Sequence, residues 1–287
     1  MNKIAIIGPG AVGSTIAIDL LTIHPDLRLL GRHHQTLTYF ANNNTGYGHA
    51  HTLQVTPLTT DQSHVDVLII AVKIPQLDAV LREMKHLIHE QTTIILAQNG
   101  HGQLSRFEHP HVFQGVVYIS GRKSGSTVTH YRDHKIILED SPETRAFQDI
   151  VAGSSLEIEL TNDIDYAIWY KLLVNLAINS VTALSRRTAE VLQVPGMKHL
   201  CKQLLVEGVA IAQAENVYFD DDIIDGIMTI YEGYPNQMGT SMYYDIISDN
   251  PLEIEGIQGF LFRKAKLHQV DTPVLDTIYS LLLAQQK

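Results

Sequence analysis

Three glycines near the N-terminus have the spacing of a phosphate-binding turn. Gly8, Gly10 and Gly13 follow an apolar run at Lys3–Ile7 and precede Ser14–Ile23, where apolar side chains recur at helical spacing. In such a turn the first glycine permits a tight bend, the second admits a pyrophosphate, and the third lets helix and strand pack closely. The helix N-terminus offers free N–H groups to the phosphates. The sequence therefore predicts a dinucleotide site, the alternative being a turn that binds nothing. The predicted loop is Gly8, Pro9, Gly10, Ala11, Val12 and Gly13.

The end of the second predicted strand indicates which dinucleotide binds. Leu27–Leu30 has the composition of a strand, Gly31 and Arg32 follow it, and no acidic residue lies between Leu27 and Ala41. A site for NAD usually has an Asp or Glu here to bind the ribose hydroxyls. A planar guanidinium suits the oxygens of a 2′-phosphate instead. Arg32 therefore favours NADP(H), the alternative being a solvated surface arginine.

Two polar residues follow the next predicted strands. Lys73 comes directly after the strand Asp66–Val72, and Asn99 lies just beyond the strand Thr92–Ala97. Ligands of parallel sheets gather at the carboxyl ends of the strands. We therefore predict that both residues face the cofactor crevice, the alternative being ordinary loop residues.

A polar stripe interrupts the most apolar helix of the sequence. Tyr166–Ser185 is apolar on most faces, but Lys171, Asn175 and Asn179 recur at every fourth position and so share one side of the helix. Burying such groups without partners costs several kcal/mol, on the order of 2–7 for an amide. A crevice that holds a polar ligand removes this cost. The alternative is that the asparagines bond to nearby backbone while the lysine extends to water.

The order of elements predicts two domains. Alternating strands and helices in the first half predict a parallel, doubly wound sheet of Rossmann type. A helix is predicted from Pro75 to about Ile88, and Ala41–Thr52 is a polar segment rich in Asn, Gly and His. Further strands that extend the sheet are predicted at Val112–Ile119, Thr127–Tyr131, His134–Leu138 and Leu156–Leu160.

From Asn162 onward the pattern is helical. Besides Tyr166–Ser185, helices are predicted at Met197–Glu215, Asp220–Tyr231 and Leu252–His268. The predicted fold class is α/β, with a dinucleotide-binding domain over residues 1–163 and an all-α domain over residues 164–287.

Composition restricts the partners. The chain has 287 residues and a net charge of −10, which disfavours nucleic acid. Its single cysteine, Cys201, fits a reducing compartment, and its apolar runs are far short of a membrane span. A strand pattern begins two residues after Met1, so no signal peptide is predicted. The 15 histidines share no ligand spacing, so no metal site is predicted. We expect a cytoplasmic protein.

Motifs along the whole chain resemble one family, the ketopantoate reductases (2-dehydropantoate 2-reductases). The K-x-x-x-N-x-x-x-N helix and the S-M…E-I-x-x-I-x-G segment, in which twelve residues separate Ser241 from Glu253, are specific together. Two departures are minor: Gln258 stands where the family often has Asn, and the family's cofactor-selecting arginine sits at a slightly different offset from Arg32. The matching segments are Gly8–Gly13, Ala71–Lys73, Gln98–Gly100, Trp169–Asn179, Ser241–Asp245 and Glu253–Leu261.

The resemblance implies reduction of ketopantoate to pantoate with NADPH, in pantothenate and hence coenzyme A synthesis. It implies that Lys171 is the general acid and that Glu253 binds the terminal hydroxyl of the substrate and helps to place the lysine. It implies that Lys73 lies near the cofactor ribose. Asn175 and Asn179 would orient the substrate hydroxyl and carbonyl. Asn99, which would also contact the cofactor, and Ser241 would bind the substrate carboxylate or neighbouring polar groups.

Several alternatives stay open at this level. The first alternative is a reductase of another branched 2-oxo acid, which the same stripe would serve. The second is a β-hydroxyacid dehydrogenase, since this class shares the dinucleotide fold and a lysine–asparagine helix. The third is a non-catalytic NADPH sensor, which would use the same first domain. We expect Glu255 to be a solvated surface charge, since two residues from Glu253 on a helix it points to a different face. A homodimer through an apolar surface of the second domain is also possible.

Overall fold

The computed structural model describes residues 2–43, 46–61 and 63–286, which form two compact units. The first unit contains the chain up to Asn99 together with Gln103–Ile164. The second contains Gly100–Gly102 and the chain from Asp165 onward. The short segment Gly100–Gly102 thus belongs with the second unit. The predicted single boundary after residue 163 placed this segment in the first domain.

A ten-stranded sheet organises the described part of the first unit. Its strands are β1 (Ile4–Ile7), β2 (Arg28–Gly31), β3 (Gln35–Asn43), β4 (Gly46–Pro57), β5 (Val67–Ile70), β6 (Thr93–Leu96), β7 (Val112–Gln114), β8 (Val116–Ser124), β9 (Thr127–Glu139) and β10 (Glu157–Thr161). The helices of this unit are α1 (Ala11–Leu21), α2 (Leu77–Glu83) and α3 (Pro142–Val151).

Six strands run parallel in the order β4-β2-β1-β5-β6-β7. This is the doubly wound arrangement, and the predicted Rossmann-type sheet is confirmed. The two central strands are apolar along their whole length because side chains from both faces are buried. In β1, Ile4 and Ile6 join one apolar cluster while Ala5 and Ile7 join another on the opposite face.

The remaining strands differ from the prediction in detail. The polar segment Ala41–Thr52 belongs largely to an antiparallel hairpin of β3 and β4, although Asn44 and Thr45 lie outside the described residues. Only every second residue of the hairpin, such as Leu37 and Leu53, enters the core, so polar side chains dominate its sequence. The strands predicted on either side of Asp133 form one continuous β9. The prediction of two separate strands there was wrong.

The described residues of the second unit are helical, as predicted. The helices are α4 (Ile164–Ser185), α5 (Met197–Ala214), α6 (Ile223–Glu232), α7 (Ser241–Ile247), α8 (Gln258–His268) and α9 (Pro273–Leu283). The helix predicted from Leu252 begins only at Gln258, because Ile254–Gly256 form a separate 3-10 turn.

The helix α4 is the core of the second unit. It is long and apolar enough to cross a membrane by composition alone, but 72% of that stretch is buried inside the protein, as expected for a core helix. The Tyr231 hydroxyl of α6 donates to the Val174 carbonyl at 2.8 Å. A β-carbon on Gly208 of α5 would lie 2.6 Å from the end of the Leu173 side chain, so α5 packs closely on α4 at this point. The stripe-bearing helix is therefore held by its neighbours.

Candidate active site

The glycine loop has the geometry that its sequence predicts. Gly8 has a φ of +111°, and a β-carbon there would lie 2.7 Å from the backbone of Ala71 at the end of β5. A β-carbon on Gly13 would lie 2.1 Å from the Gly8 carbonyl oxygen. A β-carbon on Gly10, in contrast, would meet no atom within 4 Å apart from those of its chain neighbours. The loop is thus closed where strand and helix meet and open where a pyrophosphate would approach, so the residues present fit a dinucleotide.

The start of α1 leaves backbone donors for that ligand. The first amide with a helical partner is that of Ser14, which donates to the Gly10 carbonyl at 3.0 Å. The amides of Ala11, Val12 and Gly13 come before it and lack helical carbonyls. No side chain caps this end and its first turn carries no acidic residue. These donors and the positive end of the helix dipole suit phosphate oxygens.

Arg32 lies beside this loop. A β-carbon on Gly31 would come within 3.0 Å of the Pro9 ring, so the end of β2 packs against the glycine turn. Arg32 is the next residue and is exposed. Among the residues that the structure describes, it forms no ion pair with a carboxylate. Its guanidinium is therefore open to an external anion.

The ends of β5 and β6 are braced by a glutamine that the sequence analysis did not single out. Gln98 is buried, and its Nε2 donates to the Val72 carbonyl at 2.7 Å. Lys73 follows Val72 and is half-buried, while Asn99 follows Gln98 and is exposed. The structure thus places the glycine loop, Arg32, Lys73 and Asn99 at the carboxyl ends of parallel strands. The position of Gln98 directly after a strand was the only sequence signal for its role.

The polar stripe of α4 carries two asparagine amides that have no hydrogen bond among the described residues. Asn179 is only 5% exposed, and within the described residues its side-chain amide forms no hydrogen bond. Asn175, one turn earlier, is half-buried and likewise has no side-chain hydrogen bond there. Lys171 is half-buried at the head of the stripe. Two amides on one face of a core helix are therefore available to a polar ligand.

A buried polar junction holds the segment around Ser241 against α4. The hydroxyls of Thr182 and Thr240 lie 2.7 Å apart. Gln258 is fully buried, and its Nε2 donates to the Ser180 hydroxyl at 2.9 Å and approaches the sulfur of Met242 at 3.6 Å. Because Ser241 stands between Thr240 and Met242, it is fixed near the stripe-bearing helix. The junction also anchors the chain that follows Glu253.

The two acidic residues of this segment have different surroundings. Glu253 is half-buried between the buried Leu252 and Ile254. Glu255 is exposed, yet its carboxylate pairs with Arg263 and accepts a 2.8 Å hydrogen bond from the Tyr279 hydroxyl. Glu255 is therefore an exposed surface charge, as expected, although it also pairs with two neighbouring side chains. The helix-face argument for it fails, because Glu255 lies in the 3-10 turn before α8.

A histidine that the sequence analysis did not single out lies next to this segment. His101 stacks on Phe260 with ring centroids 4.6 Å apart and lies 6.4 Å from the ring of Trp169. Its backbone N–H donates to the Gly256 carbonyl at 3.1 Å. Burial lowers the pKa of His101, so the ring is neutral in this aromatic setting. The signal in the sequence was a histidine between two glycines, in the segment that follows Asn99.

Within the ranges that the structure describes, no group of three or more His, Cys, Asp or Glu side chains is arranged to hold a metal ion.

Sequence comparisons place these features in one family. The family profile described as ketopantoate reductase PanE/ApbA matches residues 4–143, and its C-terminal counterpart matches residues 163–286. The 2-dehydropantoate 2-reductase of Mycobacterium tuberculosis is 30% identical over 98% of this chain and 97% of its own length. The chain belongs to the ketopantoate reductase family. The corresponding enzyme of Vibrio cholerae is 25% identical over 96% of the chain and 95% of its own length.

Solved structures agree with this assignment. A dimeric ketopantoate reductase from Staphylococcus aureus is 51% identical and superposes with a TM-score of 0.95, covering 99% of this chain and 98% of its own. A D-mandelate dehydrogenase bound to NADH and anilino(oxo)acetate is 23% identical with a TM-score of 0.87 and covers 99% and 98% of the two chains. The second similarity shows a shared fold. The protein is thus an oxidoreductase of the ketopantoate reductase family.

Proposed function

We propose that this protein reduces 2-dehydropantoate (ketopantoate) to pantoate with NADPH, and so serves pantothenate and coenzyme A synthesis in the cytoplasm. The observation that carries the proposal is the stripe of Lys171, Asn175 and Asn179 on the core helix of a ketopantoate reductase chain. The Asn179 side chain is nearly buried and its amide has no hydrogen bond among the described residues, so a polar ligand can supply the partners of this amide.

Lys171 is the proposed general acid. NADPH, when bound, supplies a hydride for the ketone carbon of the substrate. Negative charge then develops on the ketone oxygen, and a cation with a proton to give stabilises that charge and neutralises it. Lys171 carries such a proton, and its place on a rigid, buried helix favours a fixed direction for the transfer.

The other polar residues orient the substrate. The amide donors of Asn175 and Asn179 bind the substrate hydroxyl and carbonyl. Ser241 and Asn99 bind the carboxylate or neighbouring polar groups. Glu253 accepts a hydrogen bond from the terminal hydroxyl and helps to place Lys171. The half-buried position of Glu253, in contrast with the exposed Glu255, supports this assignment.

The first unit holds the cofactor. The Gly8–Gly13 turn and the free amides of α1 bind the pyrophosphate, and Lys73 and Asn99 contact the ribose side of the nicotinamide. Arg32 binds the 2′-phosphate that distinguishes NADPH from NADH. The openness beside Gly10 and the lack of an acidic partner for Arg32 among the described residues support these roles.

We also propose that the protein acts as a homodimer. The support is the dimeric state of the Staphylococcus aureus ketopantoate reductase, which is 51% identical over nearly the whole chain. Sedimentation analysis of the purified protein tests this, and a monomer at enzyme concentrations in the micromolar range would contradict it.

A substrate panel tests the function as a whole. Oxidation of NADPH is followed at fixed enzyme with ketopantoate, with branched 2-oxo acids that lack its terminal hydroxyl, and without substrate. We expect the highest kcat/KM with ketopantoate, because only this acid has the terminal hydroxyl that Glu253 is proposed to bind. A higher kcat/KM with a hydroxyl-free acid would shift the assignment to another 2-oxo acid. NADPH binding without turnover of any acid would support a sensor.

A further inference from the structure

A second cation stands next to Arg32. Lys123 lies on β8, and its Nζ donates to the Gln35 side-chain oxygen at 3.3 Å. Gln35 is the first residue of β3 and follows Arg32 by three positions. Partial burial, and to a smaller extent the positive charge of Arg32, lowers the pKa of Lys123. The two cations are therefore near neighbours that repel each other.

The backbone directs Lys123 toward the glycine loop. A β-carbon on Gly121 would lie 3.3 Å from the β-carbon of Ala11, so this part of β8 packs on the start of α1. Residues two apart in a strand share a face, which puts Lys123 on the same face as Gly121. Arg32 follows Gly31, which packs on Pro9 of the same loop. Each cation thus stands next to a contact with the phosphate-binding turn.

The surroundings of Lys123 differ from those of an ordinary surface lysine. Its side-chain hydrogen bond goes to a neutral amide, and within the described residues it has no ion pair with a carboxylate. Lys135 on the adjacent β9 shows the usual arrangement, since its Nζ lies 2.9 Å from the Glu159 carboxylate. Like charges held together without an acid are unfavourable, and a bound anion reverses the sign of that interaction.

We propose that Lys123 is a second binding residue for the 2′-phosphate of NADPH, held in place by Gln35 and acting together with Arg32. A phosphate monoester carries a charge of about −1.5 to −2 at neutral pH, which two cations match better than one. The inference rests on the proposed use of NADPH and extends it, because selectivity then depends on a residue of β8 as well as on the end of β2.

Calorimetric titration with cofactor fragments tests the proposal without any turnover. 2′,5′-ADP carries the phosphate in question and 5′-AMP lacks it. We expect Lys123→Gln to weaken binding of 2′,5′-ADP about tenfold to a hundredfold, as for the loss of a charged hydrogen bond, and to leave 5′-AMP binding unchanged. Lys123→Arg should retain most of the affinity. Unchanged binding of 2′,5′-ADP to Lys123→Gln would overturn the proposal.

The control is Lys135→Gln, which removes the same charge from the same sheet. Lys135 pairs with Tyr118, five residues before Lys123 on β8 and therefore about 17 Å away along the strand. We expect Lys135→Gln to bind both fragments as the parent protein does. An equal loss in both variants would mean that only net charge matters and would also overturn the proposal.

Two further measurements separate the possible failures. A parent protein that binds 2′,5′-ADP no better than 5′-AMP would contradict the use of NADPH itself, and the role of Lys123 with it. A parent preference that persists in Lys123→Gln would contradict only the role of Lys123. Lys123→Met, which keeps the aliphatic stem, provides the same test if the Gln variant folds poorly. Without ligand, either variant should melt no lower than the parent, because a repulsion has been removed.

Discussion

Lys171 combines a titratable proton with a rigid position on α4. Its replacement by Ala should lower kcat by about 10²–10⁴-fold, the usual cost of a lost general acid. Affinity for NADPH should stay close to that of the parent, since the phosphates are assigned to the first unit. Lys171→Arg should rescue poorly because guanidinium holds its proton too tightly. Turnover and fluorescence-measured NADPH affinity on the same variant check this, and near-parental turnover in Lys171→Ala would exclude the mechanism.

Arg32 tests the choice of cofactor. Arg32→Ala should weaken NADPH binding by about 1.5–3 kcal/mol, the value of a hydrogen bond to a charged group, and should affect NADH far less. The ratio of kcat/KM for the two cofactors in parent and variant measures the effect. Equal use of NADPH and NADH by the parent enzyme would contradict the assignment.

Glu253 and Glu255 form a matched pair of test positions. Glu253→Ala should raise KM for ketopantoate and lower kcat together, because the group is proposed both to bind substrate and to place the acid. Glu255→Ala should leave the kinetics unchanged but lower the free energy of unfolding by roughly 0.2–1 kcal/mol, since its exposed pair with Arg263 is lost. Kinetics and urea unfolding on both variants separate the roles. Similar kinetic losses in the two would show that the residue transfer is wrong here.

At the scale of elements, a buried acid connects α1 to β9. Asp19 is 4% exposed, and its Oδ2 lies 2.8 Å from Nδ1 of His134. Burial raises the pKa of Asp19 from 3.8 to about 6, so the fold favours the protonated carboxyl. The stability that this group contributes is complete below about pH 4 and is lost as the pH rises through about 6. The helix that carries the glycine loop is therefore held by a contact that depends on pH.

Asp19→Asn should remove this dependence. Relative to the parent protein, the variant should gain stability between pH 4 and pH 6 by up to about 3 kcal/mol, then keep a constant difference above pH 6. Thermal unfolding at a series of pH values measures the change. Asp221→Asn, which alters an exposed carboxyl, is the control and should show no such trend. A flat difference for Asp19→Asn would contradict the raised pKa.

For the whole molecule, cofactor binding should appear as added stability. NADPH at about 100 times its Kd should add about 2.7 kcal/mol to the free energy of unfolding, while NADH at the same concentration should add less. Thermal unfolding with each nucleotide measures this. The midpoint should rise with NADPH in the Lys171→Ala variant as well, because the stripe on α4 is not assigned to the cofactor. An equal rise with both nucleotides would argue against selection by Arg32 and Lys123.

Local patterns in the sequence determined much of this protein. The glycine turn after β1, Arg32 after β2, and the stripe on α4 are short-range signals, since each depends on the periods of strand and helix or on backbone freedom at one glycine. Period also located four of the six parallel strands closely, namely β1, β2, β5 and β6, and the long core helix within two residues of its start. Lys171, Asn175 and Asn179, to which the resemblance assigns roles, lie in one of these segments.

Only the tertiary structure decided what distant segments do together. The electrostatic effect of Arg32 on Lys123, the stack of His101 on Phe260, and the junction of Gln258 with Ser180 involve residues far apart in the chain. The hairpin of β3 and β4 was hidden because half of its side chains face solvent and carry no apolar signal. The pairing of Glu255 with Arg263 and Tyr279 was likewise not predicted, because folding brings these residues near it. Such contacts depend on the path of the chain through space, which no local period encodes.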